Sequence, residues 1–586
     1  MLSSPRPSAP ARSAGVLIAL ALTPLWLTGI LGRGLWTPDE PREADIAWRM
    51  SLQSDRTLPQ LAGTPFLEKP PLTYWLSAGA LSLFGDSAAA ARAPNLLYAL
   101  VGALAIGALA LAMQLEVSAA VIAALVAMSA LTAYRVSVWL APDACLLGAC
   151  ALALLGAWRG YRAPPGAAKA AGYALMHLGA AIGFMAKSAP GWLVPGLALL
   201  AVIVWERRWA ELRRWELYAG FALQALIIGP WLLAVARTAH GTEALRALFW
   251  HNVVGRFTRV TAPPALDYTS GHRNFAGKYL FELPAYLLPW TLVVAAALAR
   301  AWRSARNPNL AGTRWRFALA ASLPFLALLS LAATARDIYA APALLGFGLL
   351  AGLWTQEVKR TPLPLDRLAV RLTRWLVTLI AWGLAAALCV LAAVGAGSRP
   401  ACLAAALAAL AAAHAAMYFA VRAQRAGNLQ QSLGWSYGGY AAAVCFAAVA
   451  ALPIIDRWQD LPALARRIHA DTAHASLALL NPDETTIAML DRGLETPFAI
   501  LVSDAHLPQQ PVAEWLTAHG HAGRVLVLLP GHAPGPLTHW LERFRHNEPP
   551  GDGIAGLLVA SGTAALVERY ELPQGRRYAL LGAPPP

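Results

Sequence analysis

Residues 36–74, WTPDEPREADIAWRMSLQSDRTLPQLAGTPFLEKPPLTY, are a polar island between apolar stretches. Asp39, Glu40, Arg42, Glu43 and Asp45 crowd its first part, and Glu68-Lys69-Pro70-Pro71 its end. Outside it the chain has little polar material: of 586 residues, 58% are hydrophobic and 13% charged, with a mean hydropathy of +0.48. That leaves too little polar surface to coat a soluble globule of this size. The expectation is a mainly α, polytopic membrane protein in which the island is an external loop. Charges so close to a bilayer are costly unless they are solvated or serve a site, so the loop is either plain acidic decoration or the chemical centre.

Working outward, and taking about 20 apolar residues per span, about thirteen transmembrane helices are expected, near 14–33, 93–114, 117–134, 143–160, 168–186, 189–205, 216–236, 284–301, 315–333, 338–355, 373–396, 401–420 and 434–453. With the N-terminus cytoplasmic, nearly every Lys/Arg cluster falls in a cytoplasmic turn, as the positive-inside rule requires. The net charge of +15 therefore sets topology and implies no nucleic acid. The same assignment puts loop 34–92, Asp143, Lys187, loop 238–284, Arg336-Asp337 and the C-terminus together on the outer, periplasmic side. The five cysteines lie in apolar segments without metal-ligand spacing, so neither disulfides nor a zinc finger are expected. Arg6 and Arg12 ahead of an apolar run resemble a signal peptide, but no cleavage site follows, and the run reads as an uncleaved first span.

Two domains are expected: 1–453 in the membrane and 454–586 as a soluble α/β unit, where short apolar runs alternate with helix-like stretches. Within the loop, PREADIAWRMSLQ and PLTYWLSAGALSLFG read as helices lying along the membrane surface. The alanine-rich spans of 373–453 read as packing elements. In the C-terminal unit Asn481-Pro482-Asp483-Glu484 reads as a helix start, with Asn481 as cap and Glu484 reaching back to it. Ser503, Asp504 and His506 lack a nucleophile elbow, and His521, His532, His539 and His546 read as surface histidines.

The sequence P-D-E-x-R of Pro38–Arg42, then Gly63, Pro65, Glu68-Lys69-Pro70-Pro71, Tyr74-Trp75 and Phe84-Gly85, resembles the bacterial lipid-linked-sugar glycosyltransferases, the superfamily of aminoarabinose–lipid A transferase and protein O-mannosyltransferase. The resemblance extends from the first span to about residue 345 through Asp143, Lys187, the Arg256-Phe257 pair, His272 and the Arg336-x-x-Tyr339-x-x-Pro342 element. It implies a GT-C architecture and transfer, with inversion, from a polyprenyl-phosphate-linked sugar. In those terms Asp39 is the key carboxylate and Glu40 secondary. Lys69, Lys187, Arg256, Arg336 and Tyr339 face the donor phosphate, and Asp143, Tyr74 and Glu43 line the acceptor cavity. Where family members hold a divalent metal (Zn, Mn or Mg), Glu68 and His272 would be its ligands.

Three departures from the pattern stand out: Ser188 replaces the usual glycine after Lys187, Ala333-Thr334 replaces a serine-lysine pair, and Glu43 stands where an aromatic is common. The surplus of external cations fits an anionic acceptor such as a lipid A phosphate. The rival readings are a protein O-glycosyltransferase acting on Ser or Thr, with Asp39 as base, and a lipid or sugar transporter or flippase. The transporter reading is disfavoured because no hydropathy repeat or mid-span charge is seen.

Overall fold

The computed structural model describes residues 9–66, 68–254, 275, 277–332, 336–494, 497–503, 509–530 and 552–585. Helix α1 (Ala9–Ile30) leads into the loop, where α2 (Glu40–Leu52), a two-stranded hairpin of β1 (Gln60–Leu61) and β2 (Thr64–Pro65), and α3 (Leu72–Phe84) follow. Next come α4 (Ala88–Ala112), α5 (Val117–Ser129), α6 (Leu131–Val138), α7 (Pro142–Arg162), α8 (Ala167–Lys187), α9 (Pro190–Glu206), α10 (Trp215–Ala236) and α11 (Gly241–Arg246). After the second loop the chain forms α12 (Lys278–Tyr286), α13 (Thr291–Ser304), α14 (Leu310–Ala320), α15 (Leu323–Ser330), α16 (Ala341–Arg360), α17 (Pro364–Ala393), α18 (Arg399–Arg425) and α19 (Leu429–Trp458).

Among the described residues, eight helices are long and apolar enough to cross a membrane, nine if α5 and α6, bent by 69°, count as one broken span. This is fewer than the thirteen expected, although every expected stretch is largely helical, and the difference has local causes. Lys169, His177, Lys187 and several glycines dilute the apolarity of α8, and α9 has only 17 residues. The stretch expected at 284–301 breaks between α12 and α13 around Pro289, and that at 315–333 breaks between α14 and α15, where Pro324 opens a new helix. Close packing of the bundle uses small residues. A Cβ on Gly156 of α7 would overlap the Met176 amide of α8, so only glycine admits that approach.

Past α19 come α20 (Leu461–Thr472), β3 (Ser476–Leu480), α21 (Glu484–Leu494), β4 (Ala499–Leu501), α22 (Gln509–His519), β5 (Gly523–Leu528), α23 (Gly553–Ala560), β6 (Ala565–Glu571) and β7 (Arg577–Gly582). The sheet order is β4-β3-β5-β7-β6, with β3 parallel to both neighbours and β7 antiparallel to both of its own. Leu477, Leu479, Leu526 and Leu580 fill one face of this sheet, and Val525, Val527, Ala579 and Leu581 the other, which is the composite α/β unit expected from the alternating runs.

Two local expectations need correction. The PREADIAW helix does not lie on a surface, because nine of its residues, from Glu40 to Met50, are buried. Ile46, Met50, Leu61, Phe66, Tyr74 and Ala78 form one cluster with Ala488 of α21, so α2 is sandwiched between α3 and the C-terminal unit. The start of α21 is also shifted. Asp483 accepts from the Thr486 amide at 2.9 Å, whereas Asn481 sits at φ +43° and exchanges hydrogen bonds with Ser503. Since Asp483 does the capping, Glu484 does not reach back to Asn481 and points toward the loop instead. Asp504, His506, His532, His539 and His546 lie outside the described residues.

Candidate functional site

Asp39 closes the turn that enters α2, with φ −94° and ψ −40°, and its side chain makes no capping bond. Both of its oxygens instead accept from Arg336, at 2.7 Å each, in a two-pronged pair bridging 297 residues of sequence. Arg42, one turn on, stands 3.5 Å from the same carboxylate. Burial alone would push the Asp39 carboxyl up, but the Arg336 hydrogen bonds and the charges of Arg42, Arg336 and Lys69 more than offset it. Asp39 is held well below the ordinary carboxylate range and stays ionised at neutral pH. Arg336 is fixed in turn, because Tyr279 donates to its backbone carbonyl at 2.9 Å.

Arg42 is the hub of the cluster. Its Nη2 lies 2.7 Å from Glu43, and its Nη1 pairs with Glu484 of α21 and stands 3.9 Å from Glu68. Lys69 adds a second cation, 3.0 Å from Glu43 and 3.6 Å from Glu68. Burial and Arg42 push Lys69 down, but Glu43, Glu68 and Asp39 outweigh them, so it remains an ammonium. Tyr74 is buried in the adjoining wall with Phe66, over whose ring the Arg42 guanidinium lies at 5.3 Å.

A second group stands beside the first. Lys187, at the end of α8, is 2.5 and 2.6 Å from the two oxygens of Asp143 at the start of α7, and its ammonium lies 3.9 Å from the centre of the Tyr339 ring. Arg336, three residues before Tyr339, feels the charge of Asp143 as well as that of Asp39, so it stands between the two groups. Ser188 takes φ +63°, a backbone conformation that favours glycine, so serine is strained at this turn. Arg256 and His272 lie outside the described residues, and with them half of the expected metal pair. Among the described residues, no group of three or more His, Cys, Asp or Glu side chains could hold a metal ion. Glu68 itself sits between two cations.

Glu40 faces elsewhere. It is fully buried against Arg33 and Arg92 and accepts from the amides of Trp36 and Leu140. Residues that the sequence reading did not assign to the site are Arg33, Arg92, Glu484, Thr485 and Asp491. Thr485 donates to the Pro38 carbonyl at 3.1 Å, Asp491 pairs with Arg49, and Arg492 pairs with Asp86. Only Glu484 had a sequence signal, an acidic residue at a helix start, and that signal points equally to a cap.

Asp45, fully buried on α2, faces Asp491. Burial and then the Asp491 charge and hydrogen bond push its carboxyl up to about 8, against weaker pull from the Ala62 amide and Arg49. An unfolded Asp45 ionises near the ordinary value, so between those two pH values the folded state holds the extra proton. Stability therefore falls as pH rises from about 4 to 8. Asp45→Asn removes this slope and stabilises the protein at pH 8.5 by on the order of 5 kcal/mol, about 1.4 kcal/mol for each pH unit of that window, read in detergent as a Tm above wild type at pH 8.5 and a smaller difference at pH 5.5. An unchanged pH dependence of Tm in the variant would contradict the assignment.

Comparison with known proteins agrees with the motif resemblance. A family model described as dolichyl-phosphate-mannose-protein mannosyltransferase matches residues 68–233, which include Lys69, Tyr74, Asp143 and Lys187. The undecaprenyl phosphate-alpha-4-amino-4-deoxy-L-arabinose arabinosyl transferase of Edwardsiella ictaluri is 30% identical over 287 residues, 49% of this chain and 50% of that protein. The protein of the same name from Pseudomonas paraeruginosa is 30% identical over 339 residues, 57% of this chain and 58% of that protein. The chain thus spans 50% and 58% of these relatives. The crystal structure of ArnT from Cupriavidus metallidurans bound to undecaprenyl phosphate superposes over 98% of both chains with a TM-score of 0.67 at 18% identity. The two proteins share one helical, polytopic fold with a C-terminal α/β unit.

Proposed function

We propose that this chain is a glycosyltransferase of the bacterial inner membrane that moves a sugar from a polyprenyl-phosphate donor to a lipid A phosphate or related glycolipid on the periplasmic side. The observation that carries the reading is the joined cluster: the ionised Asp39 gripped by Arg336, with Lys69 and Arg42 on one side and Lys187, Asp143 and Tyr339 on the other. The relatives named for undecaprenyl-phosphate aminoarabinose transfer support it.

In the reaction an acceptor oxygen attacks the anomeric carbon from the face opposite the donor phosphate. The new C–O bond forms as the bond to the phosphate oxygen breaks, the configuration inverts, and the polyprenyl phosphate leaves with the bonding pair. In this reading Lys69, Lys187 and Arg336 stabilise the charge on the leaving phosphate, and the motif resemblance adds Arg256. A phosphate acceptor is already ionised and needs no base. Asp39, held far below the ordinary carboxylate range, is a poor base and is suited to orienting Arg336 and the acceptor. A divalent cation on Glu68 and His272 would have to share Glu68 with Lys69 and Arg42, and no step is routed through it.

The match to a protein-mannosyltransferase model favours one second reading, transfer to Ser or Thr hydroxyls. Mass spectrometry of lipid A from cells with the gene intact and deleted separates the two. A sugar-sized mass present only with the gene supports the lipid acceptor; an unchanged lipid A together with lost glycoproteins would replace it with the protein acceptor.

A further inference from the structure

The C-terminal unit reaches the key carboxylate from both sides along the chain. Before Asp39, the buried Thr485 hydroxyl donates to the Pro38 carbonyl at 3.1 Å. After it, Glu484 holds Nη1 of Arg42, whose Nη2 stands 3.5 Å from Asp39 and 2.7 Å from Glu43. A guanidinium is a rigid planar fork, so fixing one nitrogen fixes the direction of the other. Arg42 is itself only 6% exposed and has no room to take another pose in water. The charges argue the same way: Asp39, Glu43 and Glu68 are already matched by Arg42, Lys69 and Arg336, so Glu484 is a carboxylate beyond neutrality. Its ionised form is disfavoured by burial and by Glu68, and Arg42 acts against that.

We propose that Thr485 and Glu484 are positioning residues for Asp39, so that the C-terminal unit is part of the catalytic apparatus. The inference rests on the transferase reading above. One fixes the peptide before Asp39 and the other the cation after it, so both act through another group. Small misplacements of a reacting group cost up to about 100-fold in rate.

The test uses the purified full-length protein in detergent, with an undecaprenyl-phosphate-linked 4-amino-4-deoxy-L-arabinose donor and lipid A as acceptor. Thr485→Val and Glu484→Gln each lower kcat about 10- to 100-fold and leave both KM values within about two-fold. Thr485→Ser and Glu484→Asp restore most of the rate. Arg492→Ala removes the Asp86 ion pair on the same helix, away from Arg42, and leaves kcat unchanged. Hydrogen exchange, which needs no turnover, shows faster exchange over residues 38–43 in the Val and Gln variants only. Unchanged kcat in both variants, or a loss shared by Arg492→Ala, overturns the inference in favour of simple docking. A wild type without turnover whose exchange at 38–43 still responds sinks the transferase reading and supports the positioning; unchanged exchange overturns the positioning itself.

Discussion

Asp39→Asn lowers transfer per folded molecule by about 1,000-fold or more, an effect of the size seen when a preorganised charged group is removed from a reacting centre, and leaves membrane insertion intact while lowering Tm, because the buried pair with Arg336 is broken. The amide keeps the volume and one acceptor oxygen. It loses the charge and turns an N–H toward Arg336, whose two nitrogens now each contact a carboxylate oxygen at 2.7 Å. Arg336 then swings away from the Asp39 side toward Asp143, whose charge it also feels. The pH profile distinguishes orientation from base catalysis. A carboxyl whose folded pKa is depressed contributes its stabilisation at all pH values above the ordinary carboxylate range and loses it only as pH falls through the depressed value. Turnover measured between pH 5 and 9 should therefore show no acid limb due to Asp39. An acid limb in that window that disappears in Asp39→Asn would make Asp39 the base and favour a hydroxyl acceptor.

Much of this site is legible in the spacing of the sequence alone. P-D-E-x-R and E-K-P-P are local patterns, and the sign of the loop charges brought Asp143, Lys187 and Arg336 to the same side. The structure joins those residues through Arg336. What sequence hid was which partner each charge takes. The helix α2 reads as polar, and hence as a surface element, because Arg42 and Asp45 are buried against charges far along the chain: Arg42 meets Glu484 across 442 residues, and Asp45 faces Asp491. Periodicity cannot detect a helix whose polar face is covered by a second domain. The NPDE start of α21 failed for the same reason, since Asp483 and Asn481 were equally good caps and only the distant Arg42 gave Glu484 another direction. Breaks in the spans near Pro289 and Pro324 were marked by proline, but apolar runs on either side concealed them.

Glu40→Ala is expected to cost folding rather than chemistry, about 3–5 kcal/mol, the range for removing one partner of a buried charge pair. Successive helical residues point about 100° apart, so Asp39 and Glu40 at the start of α2 face different surroundings. Glu40 is 0% exposed. It accepts from Arg33 at 2.5 and 2.8 Å, from Arg92 at 3.2 and 3.4 Å, and from the amides of Trp36 and Leu140 at 2.9 Å each. Both arginines also hold backbone: Arg33 donates to the Gly29 and Val138 carbonyls, and Arg92 to those of Ile30, Arg33 and Gly34. One carboxylate thereby ties the end of α1, the first turn of α4 and the bend between α6 and α7. Removing it leaves two buried guanidiniums facing each other with no anion between them. Glu40→Gln keeps an acceptor and the volume, and should lose less. The measurement is Tm in detergent together with turnover per folded molecule: a steep fall in Tm with turnover per folded molecule preserved supports the tie. An unchanged Tm with turnover down 100-fold would put Glu40 beside Asp39 in the chemistry, which would require its two arginines to release it when substrate binds.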